Sequence, residues 1–236
     1  MWRGLMPTLA DAGWRAVAPD LPGFGDSDPE PPHTWERYVE WVERFRVEQD
    51  LDPVVLVVHD WGGLIGLAWA CEHPDAVRAL VISSTGFFPD GKWHGVAQMA
   101  RTPGQGEQMV DNMTREGLAA LLREQSPGID DATLDEYWKG FGDETRRRGI
   151  LEFWRSMDFE KLAPYDGKLA ELGVPTLILW GETDPFAFVP SAHRFHKEIP
   201  DSKLVIVDGG GHFVWEDAPE RTAAEVVDFL GTAVRA

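Results

Sequence analysis

The 236-residue chain has a single cysteine, Cys71, so no intrachain disulfide can form. That residue lies in an apolar run and reads as a buried small side chain of a protein made in a reducing, cytoplasmic compartment. No stretch approaches the roughly 20 apolar residues that span a bilayer, and residues 1–7 carry no apolar core with a small-residue cleavage pattern. Internal repeats and low-complexity tracts are lacking too, and the 24 glycines and 17 prolines are scattered at element ends. Basic side chains are scarce. Twenty-two Lys and Arg stand against 40 Asp and Glu, a net charge of −18, and a mean field of that sign repels the phosphates of nucleic acid and anionic lipid. No cluster of His, Cys and carboxylates at ligand spacing points to a metal, and no motif points to an organic cofactor.

What remains is ample for one α/β domain, or a core with a small lid: 43% of the residues are apolar. Apolar strand candidates occur at residues 15–19, 53–58, 79–83, 176–180 and 203–207. Between the first two, Thr34 can cap a helix whose stripe of Trp35, Tyr38, Val39, Val42 and Phe45 packs while Glu36, Arg37, Glu40 and Glu43 meet water. Residues 62–73 are almost wholly apolar, which predicts a central helix buried on most sides and ended by Pro74. Asp217, with Pro219 and Glu220, is expected to cap the last helix, whose inner face is Ala223, Val226, Val227 and Leu230. Strand alternating with helix predicts a mostly parallel sheet covered on both faces. Residues 88–165 break the alternation with amphipathic helices, and such an insertion is most economically a lid over the carboxyl ends of the strands, where parallel sheets bind ligands. The expected division is core at 1–87, helical cap at 88–165 and core again at 166–236.

The chemistry gathers at strand ends. Asp60 joins a buried strand to a buried helix with almost no loop, and Gly62 and Gly63 let the helix backbone come close. Taken alone, Asp60 is as well read as a helix N-cap. Two later strands, however, run directly into Asp184 and into Gly209-Gly210-Gly211-His212, and in a parallel sheet all three ends emerge at one edge. Asp60, Asp184 and His212 are therefore expected to converge. Trp61 follows Asp60 and can be a donor or a wall of an apolar pocket; Trp93, Tyr137, Trp138 and Trp154 are pocket candidates that could equally be packing residues. His59 is expected to point away from the Asp60 carboxylate and is given no role.

The segments Pro19-Asp20-Leu21-Pro22-Gly23-Phe24-Gly25-Asp26-Ser27, His59-Asp60-Trp61-Gly62-Gly63, Trp180-Gly181-Glu182-Thr183-Asp184-Pro185 and Gly210-Gly211-His212-Phe213 resemble the α/β-hydrolase superfamily. The branch they resemble is the one with an aspartate nucleophile, the haloalkane dehalogenases and epoxide hydrolases. The resemblance covers essentially the whole chain and implies Asp60 as nucleophile, His212 as base and Asp184 as the residue orienting it. It implies hydrolytic dehalogenation through an aspartyl ester, with Trp61 as one halide clamp, water as co-substrate, a small apolar halogenated substrate, and a monomer or homodimer. A carboxylate is a poor nucleophile toward esters but can displace halide or open an epoxide, and a serine is missing from the elbow. The alternative is an epoxide hydrolase giving a diol, which needs an acid such as a lid tyrosine; Tyr137 and Tyr165 are the candidates, but Phe153-Trp154-Arg155 stands where the tyrosine motif would fall. A further alternative is a non-catalytic small-molecule binding protein of the same fold. Family members carry a longer N-terminal part, with a His-Gly segment that supplies a second oxyanion amide, so the first three strands of the fold are expected to be absent. Either Met1 is an internal methionine of a longer gene product and this chain alone is poorly active, or the strands at 15–19 and 53–58 close up directly.

Overall fold

A computed structural model describes residues 1–51 and 53–234; Asp52 and the last two residues of the expected core at 166–236 lie outside the described residues. In chain order the elements begin with α1 (Leu5–Asp11), α2 (Trp35–Glu48), β1 (Val54–His59), α3 (Trp61–Glu72) and β2 (Val77–Ser83). A run of helices follows: α4 (Gly95–Arg101), α5 (Gln105–Asp111), α6 (Arg115–Gln125), α7 (Asp131–Trp138), α8 (Glu144–Ser156) and α9 (Lys168–Glu171). The chain then returns through β3 (Thr176–Gly181), α10 (Val189–Glu198), β4 (Lys203–Val207), α11 (Val214–Asp217) and α12 (Pro219–Ala233).

The four strands form one sheet in the order β1-β2-β3-β4, every pair parallel. Its two faces follow from the two-residue period of a strand. Leu80, Ile82, Ile178 and Trp180 point to one side, where they meet the buried faces of α2 and α3. Ala79, Val81, Leu177, Leu179 and Val207 point to the other, where Val226, Phe229 and Leu230 of α12 and Leu5 and Leu9 of α1 cover them. Helix α3 is apolar all round because it is enclosed: Leu67, Ala68 and Ala70 are wholly buried. The helices between β2 and β3 have a small core of their own, built on Leu118, Leu122, Ile129 and Leu134.

Several local expectations are corrected. Residues 15–19 form no strand; only Ala16 of that segment, with the preceding Trp14, packs against the α1/α12 face, and the others are exposed. Extended backbone becomes a strand only with a ladder partner, and β1 pairs with β2 alone among the described strands, so the two segments do not close up. Thr34 makes no side-chain cap; the Trp35 amide donates instead to the Ser156 hydroxyl at 2.8 Å, a bond from α8 to α2. Asp217 does not cap α12, which starts with Ala218 at the cap position and Pro219 in the first turn. Glu43 does not simply face water: it accepts the Trp69 indole N–H at 2.8 Å and pairs with Arg46. Cys71 is half-buried, and desolvation pushes its thiol up to about 12, so it stays protonated.

The sharp passage from β1 into α3 depends on Gly63, where an added Cβ would overlap the Thr85 hydroxyl. That hydroxyl donates to the Asp60 carbonyl at 2.7 Å, so the close approach also fastens the turn. Gly63→Ala is expected to lower stability by about 1–3 kcal/mol in urea unfolding, although alanine is the better helix former. An unchanged midpoint would mean that the approach is looser than described.

Candidate active site

Asp60 sits where β1 ends and α3 begins, with φ 47° and ψ −123°. A non-glycine residue in that region costs about 1–3 kcal/mol, and such strain persists only where surrounding bonds hold it. Here they do. The Asp60 amide donates to the Ser84 carbonyl at 3.1 Å, and its carbonyl accepts the Thr85 hydroxyl at 2.7 Å and the Gly63 amide at 2.9 Å. The turn lifts the carboxylate out of the sheet edge, leaving 45% of the side-chain surface reachable.

The other two expected residues arrive from the ends of β3 and β4. His212 follows β4 in a glycine loop, and its Nε2 lies 3.8 Å from Asp60 Oδ1. Its Nδ1 lies 3.1 Å from both oxygens of Asp184, whose side chain is wholly buried. Asp184 in turn accepts the Phe186 and Ala187 amides at 2.9 Å each, so its position is fixed by backbone. This donor pattern puts a proton on Nδ1 and turns Nε2 toward Asp60.

Charge balances burial at this site. Desolvation alone would lower the His212 pKa, but hydrogen bonds and charge from Asp184 and Asp60 raise it to about 10. For Asp60, desolvation in its recess would push the carboxyl up; the hydrogen bond and charge of His212, with smaller help from His59 and the Trp61 amide, hold it below the usual range. Asp184 follows the same order, with desolvation opposed by His212 and by its two amide donors. The resting site is thus a cation held between two carboxylates, one buried and one accessible. Among the described residues no three His, Cys, Asp or Glu side chains are grouped as metal ligands.

Around Trp61 the structure collects aromatic rings. Trp93 stacks on it at 5.1 Å, Trp154 lies nearly parallel at 6.5 Å, and Phe153 meets it at 4.7 Å. Trp93 carries a buried indole N–H with no partner, and Arg101 lies 4.7 Å above its ring. Two expected pocket residues are not brought here. Trp138 stacks on Phe141 at 6.3 Å within the small core between β2 and β3, and the Tyr137 hydroxyl donates to Glu216 at 3.0 Å. Both were drawn off by the amphipathic pattern of α7, which turns its rings toward Leu118, Leu122 and Leu134.

A family model for the alpha/beta hydrolase fold matches residues 1–219. The chain is 44% identical over 251 aligned positions to a haloalkane dehalogenase of Mycobacterium marinum, covering 97% of this chain and 80% of that one. It is 30% identical to haloalkane dehalogenase 2 of Mycobacterium bovis, covering 98% of this chain and 83% of the relative. This chain belongs to the α/β-hydrolase family, on its haloalkane dehalogenase branch. A solved haloalkane dehalogenase loop variant from Bradyrhizobium elkanii superposes with a TM-score of 0.83 at 23% identity, covering 98% of this chain and 84% of the other. As a member of the dehalogenase branch the chain is a hydrolase, and its described residues form four parallel strands flanked by helices, a partial form of that fold. No helix among its described residues is long and apolar enough to cross a membrane.

Two residues of this hydrolase were missed in the sequence. His59, given no role, donates from Nε2 to the His212 carbonyl at 2.8 Å, and its ring lies 4.7 Å from the His212 ring. Asp217 accepts the Gly211 amide at 2.8 Å, on the other side of His212. No sequence spacing announces either bond; only the adjacency of His59 to the elbow hinted at one. Burial, and then the charge of His212, lower the His59 pKa to about 4. The unfolded histidine, near 6.5, binds more protons between those values, so stability rises with pH across that window and is lost as pH falls through it. The loss attributable to His59 is on the order of 3 kcal/mol. His59→Gln, which can still donate to the carbonyl, is expected to flatten the fall in urea midpoint between pH 6.5 and 4. A variant that tracks the wild type would assign the acid sensitivity elsewhere.

Proposed function

We propose that the protein hydrolyses haloalkanes to alcohol and halide through a covalent ester on Asp60. The observation that carries this reading is the accessible carboxylate on a strained elbow, 3.8 Å from the imidazole that Asp184 orients. Asp60 Oδ attacks the halogen-bearing carbon opposite the halogen, the carbon–halogen bond breaks, and the halide leaves with the electron pair. The Trp61 indole N–H, which makes no hydrogen bond among the described residues, receives that anion, and the partnerless N–H of Trp93 stacked beside it is the second contact. Halide needs no proton to leave.

Hydrolysis comes next. While Asp60 is a carboxylate it helps keep His212 protonated; once Asp60 is an ester, that support is gone and the His212 pKa falls. The imidazole then gives up its proton and draws one from water through Nε2 as the water attacks the ester carbonyl. The Trp61 backbone amide supports the oxyanion, and collapse frees the alcohol and restores Asp60. The net reaction consumes one water and releases one proton and one halide. In this reading Asp184 holds the tautomer, residues 88–165 form the lid, and the half-buried lone Cys71 suits a reducing cytoplasm.

The epoxide alternative loses support, because its candidate acids are engaged elsewhere: Tyr137 donates to Glu216, and Tyr165 donates to Glu72. His212→Gln treated with 1-bromobutane is expected to release about one bromide per site and retain a butyl ester on the peptide containing Asp60, because only the second half-reaction needs the imidazole. Free bromide with no adduct on Asp60, or no bromide from the wild type while styrene oxide yields a diol, would overturn the proposal. Tight ligand binding without turnover would point to the binding-protein reading.

A further inference from the structure

The loop carrying His212 is gripped from two sides. From the core, His59 donates to the His212 carbonyl at 2.8 Å. From the helices between β2 and β3 the grip runs through Ser126, the wholly buried residue that follows α6. The Ser126 hydroxyl donates to one oxygen of Asp217, whose other oxygen accepts the amide of Gly211, the residue immediately before His212. An added Cβ at Gly211 would stand 2.6 Å from the Gln125 carbonyl oxygen, so the backbone at the end of α6 rests directly on this loop. Beside Asp217, Glu216 takes the hydroxyl of Tyr137 from α7 at 3.0 Å, and the Tyr137 ring lies 6.0 Å from Phe213.

We infer that the Ser126–Asp217–Gly211 strap makes Ser126 and Asp217 positioning residues for the base, so that this contact from the end of α6 governs hydrolysis of the ester and not its formation. The inference rests on the reading of Asp60 as nucleophile and His212 as base. The two half-reactions draw on different supports. The elbow that aims Asp60 is held by Ser84, Thr85 and Gly63, none of which belongs to α4–α9. Only the second half-reaction needs His212 Nε2 aligned on a water, and the amide one residue away is held by a carboxylate that the insertion orients. Without the serine hydroxyl, Asp217 loses the donor that fixes its rotamer, and a histidine displaced by even a fraction of an ångström loses alignment while the nucleophile stays in place.

Rapid-quench kinetics with 1-bromobutane separate the steps. In Ser126→Ala the first-turnover formation of bromide is expected to stay within about twofold of the wild type while decay of the ester slows about tenfold, so that the alkylated enzyme accumulates in the steady state. Asp217→Asn, which keeps the shape and weakens the acceptor, is expected to give the same split and serves if Ser126→Ala does not fold. Asp111→Ala removes the ion pair at 2.8 Å that joins α5 to Arg148 of α8, within the insertion but away from the loop, and is expected to leave the ratio of the two rates unchanged. Equal slowing of both steps in Ser126→Ala and Asp217→Asn, or the same split in Asp111→Ala, would overturn the strap. A wild type that forms no ester on Asp60 would overturn the underlying reading and the strap with it, whereas a wild-type ester with an unchanged ratio in both strap variants would overturn the strap alone.

Discussion

The site depends on one backbone constraint, the positive φ that Asp60 adopts between β1 and α3. A carboxylate left in the strand would lie against the sheet edge; the turn raises it into a recess where a substrate carbon can reach it. The strain is held by ordinary parts. Thr85 and Ser84, on the segment leaving the neighbouring strand, bind the Asp60 carbonyl and amide, and Gly63 lets the helix come close enough for the threonine bond to form. Parallel pairing then does the rest, because β3 and β4 end at the same edge and deliver Asp184 and His212 without long loops.

Electrostatics gives that geometry a direction in time. In the proposed mechanism a histidine held as a cation between two carboxylates is harmless while Asp60 attacks carbon, since the attack needs no base. Esterification would then remove one of the two charges that maintain the cation. On that reading the first step prepares the base for the second, and no separate switch is required. His59 belongs to the same balance: its ring abuts the histidinium and is kept neutral by burial and by that neighbouring charge.

Much of this was legible in the sequence because it depends on local rules. Buried strands written as short continuous apolar runs, an Asp60 with no loop before it and glycines just after, and Asp184 and His212 at later strand ends all follow from short segments. The elements that failed were those whose partners lie far along the chain. Residues 15–19 look like a strand but have no ladder beside them, and Thr34 looks like a cap but yields that amide to Ser156 of α8. Asp217 looks like a cap for α12 but is taken by Gly211 and Ser126. Trp138 and Tyr137 were legible as amphipathic, yet nothing local said that the insertion would build a core of its own from them. Polar side chains with several equivalent local uses were misread for that reason, as was the short apolar segment 15–19, whereas the apolar stripes of the helices were not.

The central claim is that the oxygen delivered to carbon comes from Asp60 and not from water. A single turnover with enzyme in excess over 1-bromobutane, run in oxygen-18 water, tests it directly. The butanol from this turnover is expected to carry ordinary oxygen, with the heavy isotope in the carboxylate of the Asp60 peptide. Heavy oxygen in the alcohol, with an unlabelled Asp60, would mean that water attacks the substrate directly and that no ester forms on Asp60.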